Sequence, residues 1–63
     1  MTSLEVGRMY AAVTIRPGRE LEGVRVAAYD PESRLFTLKP SGRPWRGTRE
    51  VRVRIENVVA AVA

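Results

Sequence analysis

Apolar and polar residues alternate with a period of two along most of this chain, and proline or glycine interrupts the alternation at short intervals. Successive side chains of a strand point to opposite faces, so this pattern belongs to half-buried strands. No stretch of the chain carries the three-to-four spacing of an amphipathic helix. Met9, Ala11, Val13 and Ile15 alternate with Arg8, Tyr10, Ala12, Thr14 and Arg16, which reads as a first strand with the former set inward. Pro17-Gly18 follows as a tight turn, because proline presets its own φ and glycine accepts φ > 0. A second strand runs from about Glu20 to Tyr29, and its phase changes: Leu21 inward has one parity, Val24, Val26 and Ala28 the other. Gly23 lies between them and is expected to be a bulge or sharp bend.

Asp30-Pro31-Glu32-Ser33 is the next turn, and Phe36 and Leu38 mark the inward face of a third strand. Pro40 to Gly47 reads as a loop. A fourth strand places Val51, Val53 and Ile55 inward and Glu50, Arg52, Arg54 and Glu56 outward. Asn57 breaks it, and Val58 to Ala63 form a short apolar last strand. The expectation is an all-β domain over residues 1–63, a small, five-stranded, strongly bent antiparallel barrel with little or no helix. Residues 1–7 form a leader of at most one helical turn, and residues 8–63 form the barrel.

The middle of the chain resembles the first motif of the Sm-like superfamily of SH3-like barrels. Val13-Thr14-Ile15, the turn Gly18-Arg19-Glu20, Gly23, Tyr29-Asp30 and Leu35-Phe36-Thr37-Leu38 occur in the order of that motif. Val53 to Val59 resemble the second motif more loosely. Biotin-ligase C-terminal domains and Tudor-like modules read similarly. The resemblance implies RNA binding and assembly of copies through paired edges of strands four and five. Pro31-Glu32-Ser33-Arg34 lacks the asparagine that follows the aspartate in that family, and Glu56-Asn57 stands where it has Arg-Gly. The family's usual uridine pocket is therefore not expected, and only Asp30 carries over as a site residue.

With no cysteine or histidine, the chain has no thiolate or imidazole for a nucleophile, a disulfide or an ordinary zinc site. Glu20, Glu22, Asp30 and Glu32 fall in turns or on outward faces, without the cleft that acid–base chemistry needs. These features exclude the common catalytic arrangements, so a binding module is expected, with no cofactor, metal, membrane or small-molecule substrate. No targeting segment or long apolar run is visible, which points to the cytoplasm.

The charge is distributed unevenly. Residues 1–38 hold five basic and five acidic side chains, whereas residues 39–54 hold six basic ones against Glu50 alone. Lys39, Arg43, Arg46, Arg49, Arg52 and Arg54 are thus candidates for phosphate contacts, RNA before DNA, and Trp45 for base stacking. Trp45 has a competing role as a plug for the barrel end. Arg52 and Arg54 have one too, as a solvated face paired with Glu50 and Glu56. Tyr10 and Tyr29, read as outward, suit base stacking, a subunit contact, or a pair covering a thin core. The uncharged last strand has no lysine or proline to protect its edge. Val51, Val53, Val58, Val59 and Ala61 are therefore candidates for a homo-oligomer interface, unless that strand closes its own barrel against strand one. The alternative function is a self-assembling scaffold whose arginines meet an acidic protein.

Overall fold

A computed structural model describes residues 4–63. The chain is all-β: β1 (Met9–Arg16), β2 (Arg19–Asp30), β3 (Leu35–Pro40), β4 (Val51–Arg54) and β5 (Ala60–Val62), with one 3₁₀ turn over Ile55–Asn57 before β5. All neighbours pair antiparallel in one curled sheet of order β4-β3-β2-β1-β5. The last strand is shorter than expected, because Val58 and Val59 belong to the exit from the 3₁₀ turn. Of the expected leader, residues 1–3 lie outside the described residues, while Leu4 is buried and Glu5 to Arg8 close a turn through an Arg8 N–H to Glu5 carbonyl bond of 3.2 Å.

The turns follow local chemistry. Arg16 faces Arg19 across Pro17-Gly18, with Gly18 at φ 80°, so proline and glycine occupy the two central positions that a type II turn asks of them. That turn twists against the strands it joins, and a register shift between Thr14 and Arg16 sits directly before it. At the β2–β3 end the Asp30 carboxylate accepts the Glu32 N–H at 2.9 Å, and Arg34 takes φ 61° as its N–H reaches the Asp30 carbonyl at 2.7 Å.

Gly23 is the bend that the strand phase requires. It has φ 62°, and Leu21 on one side and Val24 and Val26 on the other are all buried despite opposite parity. The phase change crosses the ladder into β1. Tyr10 pairs with Val24 and Val13 with Leu21, so Tyr10 and Val13 both point inward. This corrects the outward reading of Tyr10 and the inward reading of Met9 and Ala11, which are exposed. The Tyr10 hydroxyl accepts the Glu5 N–H at 2.9 Å, which satisfies its polar end at the core margin. A second register shift, between Val26 and Ala28, turns Ala28 outward against expectation and brings Tyr29 to Phe36, ring centroids 4.6 Å apart.

The core joins Val13, Val24, Val26 and Leu38, all fully buried, with Phe36, Val53 and Val58. No buried side-chain nitrogen or oxygen among the described residues lacks a partner.

If the bend at Gly23 sets the fold, Gly23→Ala places a Cβ 3.2 Å from Ser41 Oγ at a left-handed φ and costs about 1–2 kcal/mol. Gly42→Ala meets nothing within 4 Å and serves as the matched control. Urea denaturation compares the two, and equal midpoints would remove Gly23 from this role.

Candidate nucleic-acid interface

The Lys39–Arg54 segment holds its own small hairpin. Trp45 and Thr48 exchange both backbone hydrogen bonds, at 3.1 and 2.7 Å, across Arg46 (φ 44°) and Gly47 (φ 85°). Positive φ at both central residues is the two-residue turn whose twist suits a hairpin. The turn presses Trp45 against the sheet. Its ring packs on the core margin, and its Nε1–H donates to the Glu22 carbonyl at 2.7 Å. Trp45 is thus half-buried and fixed rather than freely exposed, close to the plug role, although part of its surface still lines a groove.

Two grooves lie on either side of the β1–β2 tip. The first, of ≈ 650 Å³, is lined by Trp45, Arg46 and Thr48 together with Arg19, Glu20 and Glu22, with Leu21 and Val51 as its apolar part. The second, of ≈ 530 Å³, is lined by Arg16, Arg19, Arg52 and Arg54, with Asn57 beside them and Ile15, Leu35 and Val53 as its apolar part. Arg19 belongs to both. No acidic side chain among the described residues lines the second groove.

The bend explains this grouping. In the sheet β4 is separated from β1 and β2 by β3, yet the tip of the β1–β2 hairpin shares a groove with β4. The curl folds the tip across, so arginines from the electrically neutral half of the sequence meet those of the basic segment. Arg16 and Arg19 are the site residues that sequence reasoning missed. Their position flanking Pro17-Gly18, combined with a bend at Gly23, was the available signal.

The expected basic segment is divided by the fold. Arg46 and Trp45 go to the first groove, Arg52 and Arg54 to the second, and Lys39, Arg43 and Arg49 line neither. Arg52 pairs with Glu50 at 3.6 Å, both partners well exposed, and Glu56 pairs with Arg34 at 3.8 Å rather than with Arg54. Exposed pairs of this kind contribute about 0–1 kcal/mol, so they hold the arginines only loosely. Arg16, Arg19 and Arg54 have no ion-pair partner among the described residues. The three arginines without a partner repel each other around this groove, and an anion relieves that repulsion.

Asp30 is engaged in its own turn. The Glu32 backbone N–H and then the Ser33 side chain hold its carboxyl below the usual carboxylate range. It lines neither groove. Of the interface candidates, Val53 and Val58 are spent in the core, Val51 and Ala61 are half-buried, and Val59 is exposed. Among the described residues no group of three or more His, Cys, Asp or Glu is placed to hold a metal ion, and no helix is long and apolar enough to cross a membrane. No family model, curated protein or solved structure matches the chain.

Because the folded pKa of Asp30 is depressed, its contribution to stability is present above the unfolded value of about 4 and is lost as pH falls through the folded value. Thermal melts of Asp30→Asn, which keeps the side-chain acceptor, should therefore depend less on pH than the parent below about pH 4. Parallel curves would show that the turn does not use the charge. Trp45→Phe removes the N–H that the Glu22 carbonyl accepts and should destabilise the fold by about 1 kcal/mol.

Proposed function

We propose that this protein is a small nucleic-acid-binding module, RNA before DNA, that grips the sugar–phosphate backbone of single strands. The observation that carries this reading is the second groove, where Arg16, Arg19, Arg52 and Arg54 converge and, among the described residues, only Arg52 has a carboxylate partner, the exposed Glu50 outside the lining. Guanidinium groups stay charged, present forked donors that match phosphate oxygens, and release condensed counterions when they bind. The bound strand is recognised by charge and by its unstacked bases, and no catalytic step is involved. In this reading the module works in the cytoplasm.

The sequence resemblance to Sm-like barrels supports the same reading. β5 ends the sheet, carries no charged residue and leaves Val62 57% exposed, which favours assembly of copies through this edge. Val62→Lys should then lower the molecular mass measured in solution by light scattering. A parent that is already monomeric at high concentration would sink the assembly part alone.

Binding itself is tested by salt titration with single-stranded RNA and duplex DNA. Four phosphate contacts give a slope of log affinity on log salt of roughly −3 on a single strand. Arg52→Ala/Arg54→Ala should reduce that slope by about 1.4 and weaken binding at least tenfold. Arg43→Ala/Arg49→Ala removes the same charge from outside both grooves and should cost much less. Equal losses in the two doubles would show diffuse attraction rather than a groove. No binding below the millimolar range at low salt, with an acidic protein retained after nuclease treatment, would replace this reading by the scaffold one.

A further inference from the structure

The two grooves that share Arg19 differ in chemistry. The second is lined by arginines, whereas the first brings Glu20 and Glu22 into one lining with Trp45 and Arg46. Carboxylates are poor company for a phosphate, and Glu20 and Glu22 form no ion pair among the described residues. They lie two apart on β2 on either side of the inward Leu21, hence on one face of the strand. Ionised carboxylates only accept hydrogen bonds, so the groove is built to receive donors. The same groove holds an indole already fixed by the Nε1–H bond to the Glu22 carbonyl, so ordering that ring adds no cost when a base stacks on it.

Resting on the nucleic-acid reading above, we propose that the first groove is a base pocket that selects guanine, with the adjoining phosphate seated among the arginines of the second. The choice among bases follows from their Watson–Crick edges. Guanine places N1–H beside N2–H₂, two adjacent donors that one carboxylate takes with both oxygens, as it takes an arginine fork. Uracil offers one N–H between two carbonyls, which repel a carboxylate. Adenine and cytosine each set an amino group beside a ring nitrogen that is itself an acceptor. Guanine's opposite edge carries O6 and N7 acceptors, which suit the guanidinium groups of Arg19 and Arg46 at the same groove. Trp45 supplies the stacking face.

The experiment uses the full chain and end-labelled heptauridine in which the central base is uracil, adenine, cytosine or guanine, read by fluorescence anisotropy at fixed salt. The guanine strand should bind about tenfold more tightly than the other three. It alone should quench the fluorescence of Trp45, the sole tryptophan. Glu20→Gln/Glu22→Gln should bring the four strands within about twofold of each other while heptauridine binds at least as well as to the parent. Both positions are exposed, so the fold survives the change. Four equal affinities for the parent, or a guanine preference that survives the double substitution, would overturn the pocket and leave backbone binding standing. Failure of every strand to bind would overturn both.

Discussion

The left-handed residue at Gly23 is the constraint on which the rest depends. A single glycine at φ 62° lets one continuous strand bury Leu21 from one parity and Val24 from the other. The bend is held from just beyond β3, because the Ser41 N–H reaches the Gly23 carbonyl at 2.7 Å. The change of phase is not confined to β2. Hydrogen-bonded neighbours share a face, so Tyr10 follows Val24 inward, its hydroxyl meets the Glu5 N–H, and Leu4 comes to lie in the core. The same curl carries the β1–β2 tip to β4. One backbone torsion thus sets the core and assembles both grooves.

The core is made of apolar side chains, and every charged side chain of the described residues lies outside it. Folding is therefore driven by apolar burial, with little help from the three ion pairs of the described residues, whose atoms lie 3.6–3.8 Å apart at exposed sites. A domain this small has little stability to spare. The surface charge is correspondingly unconstrained by folding. Arginines that the core does not need can be grouped wherever the curl of the sheet places them.

Local chemistry made part of this legible in the sequence. Pro17-Gly18, Asp30-Pro31 and the inward Phe36, Leu38 and Val53 depend on neighbours one to four positions away, and alternation records them. What escaped depends on pairing between distant residues. As a string Met9 is in phase with Val13 and Tyr10 out of it, and only the ladder to β2 reverses them. The register shift before Ala28 leaves no glycine or proline as a sign. The indole of Trp45 had two plausible places, and the choice was made by the Glu22 carbonyl, 23 residues away.

Charge shows the same division between string and fold. Along the sequence, the first 38 residues are neutral because five basic and five acidic side chains are counted together. Neutrality of a segment says nothing about where its charges face. At the β1–β2 tip, Arg16 and Arg19 line one groove, while Glu20 and Glu22, their near neighbours in sequence, line the other with Arg19 between. The fold therefore separates charges that composition cancels. A ligand that carries both anion and donor, as a nucleotide carries phosphate and base, meets a basic groove and a charge-balanced one on either side of Arg19, and a simple polyanion is drawn to the basic one alone.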